Sequence, residues 1–139
     1  MTRGSKRPVG LTKDGSYQVG ARRTMMIEPS AAWDLVTSAR GLAAWLGPLP
    51  DGALSPEGDY RLADGTRGEV RIYQSGSHLR LTWWPPDWDQ PSLLQLRVIP
   101  KGERSAIALH QEGLPSARTR AERKRAFHAA LDQLERLIG

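Results

Sequence analysis

Groups able to do acid–base or metal chemistry are few in this chain, and they stand apart. His110, Gln111 and Glu112 close an alternating apolar stretch. In a strand His110 and Glu112 would share a face, as a two-ligand metal site or an acid–base pair would require. A zinc site wants three or four protein ligands, and no spacing joins His78 or His128 to this pair. Surface or structural roles are therefore expected, with no metal and no cofactor. The chain has no cysteine, which removes disulfides, thiolate ligands and a thiol nucleophile. A phosphate loop, a dinucleotide fingerprint and a Ser-His-Asp set are all absent, and the glycine-rich spots read as hairpin turns.

The aromatic residues say more. Five tryptophans stand against one phenylalanine, so tryptophan is the large ring this interior is built with. Trp33 and Trp45 fall on short amphipathic segments and read as core. Trp83 ends the alternation Leu79, Leu81, Trp83 and should face inward. Trp84 and Trp88 border Pro85-Pro86-Asp87-Trp88-Asp89-Gln90-Pro91, a loop whose prolines forbid a central strand. There they would either gate a cavity mouth or cover the end of the core. Tyr60 and Arg71 are polar candidates for an otherwise apolar pocket, and Glu69 could pair with Arg71. Alternation favours Glu69 and Arg71 on the solvent face, with Val70 and Ile72 inward.

The elements that would position these residues follow from periodicity and turn chemistry. At 139 residues, 39% apolar and 25% charged, the chain has the size and composition of one globular domain, expected over residues 16–139 behind a flexible basic tail at 1–15. A strand is predicted from Tyr17 to Ile27. Ser30 would then cap a short helix through Val36, and Thr37 or Ser38 a second, Ala39 to Leu46. Strands are predicted over Gly58–Ala63, Arg67–Gln74, His78–Trp84, Leu93–Ile99 and Ser105–Gln111, with Asp64-Gly65 as a two-residue hairpin turn. The final segment is the clearest helix. Thr119-Arg120-Ala121-Glu122 matches a capping box. Phe127, Ala130, Leu131, Leu134, Leu137 and Ile138 form an apolar stripe, opposite a polar face that carries Arg123, Lys124, Arg125, Asp132, Glu135 and Arg136. That stripe needs a sheet to cover it. The expected class is α+β: a bent antiparallel sheet of about six strands wrapped on a long C-terminal helix, with two short helices after the first strand, a helix-grip arrangement.

The order and spacing of several segments carry a resemblance. Trp33-Asp34, Gly41-Leu42-Ala43-Ala44-Trp45-Leu46-Gly47, Gly58 with Tyr60, Asp64-Gly65, Gly68-Glu69-Val70-Arg71, Leu79-Arg80-Leu81-Thr82-Trp83 and Glu112-Gly113-Leu114 run almost end to end. Together they resemble the START-like, SRPBCC superfamily, and within it the bacterial branch similar to the C-terminal domain of heat-shock-chaperone ATPase activators. The resemblance implies the helix-grip fold. It implies function only loosely, because members include lipid and hormone binders, polyketide cyclases and chaperone activators. Where the family often has a tryptophan on the inner face of the terminal helix, this chain has Phe127.

The resulting expectation is a binding module rather than an enzyme, with a small apolar or aromatic molecule held in a cavity between sheet and helix. The expected lining is Trp45, Tyr60, Leu81, Trp83, Trp84, Trp88, Leu109, Phe127 and Leu131. A chaperone partner is the alternative and a cyclase-type enzyme the next; the additional N-terminal domain usual in the activators is not expected in the short tail. The net charge of +5 is scattered between the tail and the start of the last helix, with no basic stripe interleaved with aromatics, which argues against nucleic acid. No window approaches 18 apolar residues, and no secretory signal opens the chain. A cytoplasmic protein is expected, with monomer and dimer both open.

Overall fold

A computed structural model describes residues 8–138. Its elements are β1 (Tyr17–Met25), α1 (Pro29–Thr37), α2 (Ala39–Trp45), β2 (Asp59–Arg61), β3 (Arg67–Gln74), β4 (His78–Trp83), β5 (Ser92–Lys101), β6 (Arg104–Leu114) and α3 (Ala117–Ile138). The strands form one antiparallel sheet in the order β1-β6-β5-β4-β3-β2. Hairpins join β2 through β6 in sequence, while α1 and α2 carry the chain from one sheet edge to the other. This is the helix-grip architecture expected from the sequence.

Alternation sets the sheet's two faces. In β5, Ser92, Leu94, Leu96 and Val98 are buried while Leu93, Gln95, Arg97 and Ile99 are only partly so. Register brings the inward residues into rows: Leu81 lies opposite Leu94, which lies opposite Gln111, and Leu79 opposite Leu96, which lies opposite Leu109. On the outer face Arg80 faces Gln95 and donates to its Oε1 from Nη2 at 2.9 Å. Helix α3 lies against β1, β6 and α2, burying Phe127, Ala130, Leu131 and Leu134. Arg23 of β1 ties the flank of α3 through Asp132 at 2.7 Å and Glu135 at 3.2 Å. Trp33 of α1 meets Tyr73 edge to face at 5.8 Å, filling the interior at the far end of the sheet.

Several local expectations are corrected. Ser30 lies inside α1; the extended residue before the helix is Glu28, which makes no side-chain cap. Pro29 takes the first turn, where a missing N–H costs nothing. Ser38 does cap α2, accepting from the Gly41 N–H. For α3 the cap is Ser116, three residues ahead of the capping box read from the sequence: its Oγ accepts from the Thr119 N–H and donates to Thr119 Oγ1, both at 3.0 Å. The Asp64-Gly65 hairpin forms, but Leu62 N–H donates to Thr66 O and only Gly65 has positive φ. Its loop thus has three residues, since a two-residue type I′ turn would need positive φ at Asp64 as well. In β3 the register slips between Val70 and Ile72. This bulge at Arg71 reverses the alternation, so Tyr73 turns inward and Ile72, expected inside, is 38% exposed. Of the segment read as a tail, residues 1–7 lie outside the described residues. Residues 8–16 make a hydrogen-bonded turn beside β1, with Gln18 N–H donating to Gly10 O and Leu11 bridging Tyr17.

One glycine fixes the geometry at the β2 end. Arg67 bridges Trp84, which puts Gly68 opposite Trp83, and Tyr60 pairs with Gly68 from the other side. A Cβ at Gly68 would stand 1.9 Å from Thr82 O and 2.6 Å from Tyr60 Cε1. The tyrosine ring therefore crosses the sheet through the space a side chain would occupy. Gly68→Ala is expected to destabilise the fold by about 1–3 kcal/mol, the usual range for overpacking, read as a lowered urea midpoint. An unchanged midpoint would show that the ring does not lie there.

Candidate functional site

At one end of the concave face, the rows of leucine give way to polar and aromatic groups. Continuing the register along the sheet gives Tyr60, Gly68, Trp83 and Ser92, with Ser92 opposite Gly113 and Gln111 one row further in. Helix α3 places Arg123 over this end. Its Cζ sits 4.2 Å from the centroid of the Trp83 ring and 5.4 Å from that of Phe127. A guanidinium is planar and weakly hydrated, so it tolerates stacking on aromatic faces where an ammonium would not.

A chain of hydrogen bonds holds the arginine. Arg123 Nε donates to Gln111 Oε1 at 2.8 Å, Gln111 Nε2 donates to Ser92 Oγ at 2.8 Å, and Ser92 Oγ donates to Trp83 O at 2.8 Å. An arginine can only donate and a carbonyl can only accept, so both ends of the chain fix its direction and the orientation of the Gln111 amide. Beside it, the Tyr60 hydroxyl donates to Thr82 O at 2.6 Å. Trp88 closes the end, packing edge to face on Trp83 at 5.4 Å and 76°. Its carbonyl accepts from Trp84 Nε1 at 2.7 Å, which ties down the proline-bordered loop.

Two groups here are incompletely paired. The Trp83 Nε1–H is buried and has no acceptor. Arg123 uses only its Nε–H; its two Nη groups have no hydrogen-bond partner, and no carboxylate pairs with it among the described residues. Burial pushes the guanidinium down to about 10, an effect that the nearby Tyr60 partly opposes. The Tyr60 phenol is held well above its ordinary value, chiefly by burial. The cluster offers donors, rings and a cation, with the Asp64 carboxylate near enough to help raise the Tyr60 phenol.

The expected lining is distributed unevenly. Tyr60, Trp83, Trp88 and Phe127 come together around Arg123. Leu81, Leu109 and Leu131 are fully buried in the hydrophobic core, with Trp45, whose Nε1 donates to Val36 O. Trp84 is directed to the opposite face, beneath the Arg67 guanidinium at 4.5 Å. There it borders an open groove of about 640 Å³ that Tyr60, Asp59, Arg61, Glu69 and Arg71 also line. Glu69 and Arg71 form a 3.3 Å ion pair, each more than half exposed, as alternation implied. None of the five clefts described has an α3 residue in its wall. His110 lies on the outer face with Nε2 3.1 Å from Gln18 Oε1, and no three His, Asp or Glu side chains among the described residues converge as metal ligands. No helix among them is long and apolar enough to cross a membrane.

Arg123, Gln111 and Ser92 were not among the sequence candidates, and Arg123 was assigned to the polar face of the helix. The structure instead places Arg123 half-buried, over the Trp83 and Phe127 rings. Position 123 precedes Phe127 by one helical turn, so it continues the buried stripe 127, 131, 134. Its spacing carried the signal that its charge obscured.

Comparison with known proteins agrees with this architecture. Residues 27–139 match the family described as Activator of Hsp90 ATPase homolog 1-like protein, and the chain belongs to that family, a START-like, helix-grip group. Among solved structures it is similar to CalU16 from Micromonospora echinospora (19% identity, TM-score 0.77, covering 99% of this chain and 87% of that one). It is also similar to MLL2253 from Mesorhizobium loti (19%, TM-score 0.71, 87% and 96%). PFC0360w, an HSP90 activator from Plasmodium falciparum, matches at 19% identity with TM-score 0.69, covering 88% and 96%. At such identities the likeness establishes the fold. No curated protein matches the chain.

The raised Tyr60 value has a consequence for stability. Folding favours the protonated phenol, so this contribution is complete below the ordinary phenol pKa of about 10 and is lost as pH rises above it. Stability should fall as pH is raised through and beyond about 10, and Tyr60→Phe should flatten that part of the profile, measured by urea denaturation at stepped pH. Equal slopes in the two proteins would contradict the buried, protonated phenol.

Proposed function

We propose that this chain is a small-molecule binding module that takes an apolar or aromatic ligand between the concave face of the sheet and α3, entered past Trp88. One observation carries the reading: the interior ends in a polar, aromatic row that is incompletely paired. A donor such as the Trp83 N–H, buried without an acceptor, costs about 1–3 kcal/mol, and a core selected only for stability would replace it. Ligand sites are built this way, as apolar walls with a few polar groups that orient what enters. The carbonyl of Trp88 ties its backbone, so the part that would move is its side chain, which rests edge to face on Trp83. Entry of a ligand would displace it from Trp83 and expose the indole N–H.

The test is a fluorescence titration with aliphatic and fused-ring aromatic ligands. Tryptophan emission should change saturably, and Trp83→Phe should remove most of the change. A flat response across both ligand classes would contradict the reading.

Family membership and the likeness to the Plasmodium activator support a second reading, chaperone activation. Under it the protein would raise the ATPase rate of an Hsp90-class chaperone. The polar row faces the interior, where a chaperone surface does not reach, so the first reading accounts for more of the site.

A further inference from the structure

We infer that the ligand of this site carries an acidic oxygen group of the carboxylate class, received by Arg123 with the Trp83 indole N–H as the accompanying donor. The inference rests on the reading of the chain as a small-molecule binder and adds the chemistry of the ligand's polar end.

The argument starts from a charge without a counter-charge. Buried cations are normally paired with a carboxylate, because dehydration disfavours the charged form. Arg123 lies over two aromatic rings, and burial has lowered its pKa to about 10. Its nearest hydrogen-bonding partner is the neutral amide of Gln111. The ion pairs among the described residues all lie elsewhere: Asp132 and Glu135 hold Arg23, Glu69 holds Arg71, and Glu122 faces Arg118. The protein thus places a cation at the end of its grip and withholds the anion.

Geometry then selects the anion. With Nε held by Gln111 and Cζ 4.2 Å from the centroid of the Trp83 ring, the guanidinium cannot turn freely. Its two Nη groups remain unpaired and, unlike the Trp83 nitrogen, are not sealed from solvent. Two parallel N–H donors on a rigid plane match the two oxygens of a carboxylate. The body of such a molecule would lie against Trp83, in the place that the Trp88 ring now takes. Its acid group would stay at the Trp88 end, where the unpaired indole N–H supplies a further bond once that ring moves.

Calorimetric titration of the full chain with two matched pairs tests this: 2-naphthoate against 2-naphthamide, and laurate against methyl laurate. Each acid is expected to bind about tenfold or more tightly than its neutral partner, the usual gain for a charge-assisted hydrogen bond. Arg123→Met should bring the ratio close to one, and Arg123→Lys should restore part of it. Because Met removes a half-buried charge that has no acidic partner, its thermal midpoint is expected to stay close to that of the parent, which guards against loss of binding through misfolding. In the parent, the Trp83 indole resonance should shift downfield on adding acid. If acids and neutral partners bind alike, or the ratio survives Arg123→Met, the inference falls and the binding module stands. If no member of either pair binds, the binding module falls with it.

Discussion

The sheet has one apolar face, which α3 covers over β1 and β6 while α1 packs on β5 and β6. Everything at the site follows from how far the apolar stripe of α3 runs. Counting back from Leu134 and Leu131 through Phe127, the next position under the helix is 123, and there the residue is arginine. The fold must therefore accept a guanidinium inside its grip or give up the first turns of α3. Two aromatic faces and one amide oxygen meet the charge. A cation–π contact contributes about 0.5–2 kcal/mol, less than the several kcal/mol that dehydrating an ion costs in a protein. The half-buried arginine is thus a modest expense to the fold, offset by the burial of Phe127, Ala130, Leu131 and Leu134 along the same stripe.

The sheet is arranged around that expense. Where other rows present leucine, the last one presents Ser92 and Trp83, with Gln111 just inside, and these relay a single directed chain of donors from the guanidinium to a backbone carbonyl. Gly68 leaves a gap in β3 that the Tyr60 ring crosses, so its hydroxyl reaches Thr82 O. Stability alone does not call for these choices. Aliphatic residues at the same positions would pack with fewer unsatisfied groups, and the far end of the sheet, with Leu79, Leu96, Leu109 and the Trp33–Tyr73 contact, is built that way.

Much of the architecture was legible in the sequence, because alternation and helical spacing report burial directly. Strands β3 to β6 and the stripe of α3 fall where period-2 and period-3.6 patterns put them. Errors came where a local event cancels a pattern. The bulge at Arg71 exchanged the roles of Ile72 and Tyr73, and Ser116 took the cap because it sits nearer the chain reversal than Thr119. At the site, Tyr60, Trp83, Trp88 and Phe127 could be chosen as large rings near the end of the core. Arg123 could not be chosen by type, since most charges on a helix face water. Gln111 and Ser92 share the alternation of buried neighbours, but a polar residue in an inward register reads as a strand end until the cation above it is seen.

The central claim is that a charged Arg123 lies on the Trp83 ring with its Nε–H held by Gln111. Nuclear magnetic resonance of the arginine Nε–Hε group measures this directly. A resolved Arg123 Hε signal at neutral pH is predicted, moved upfield by the ring beneath it and exchanging slowly with water, and Gln111→Leu should restore fast exchange. An Arg123 Hε at the shift and exchange rate of an exposed arginine would contradict the account, because the cation would then stand outside the grip.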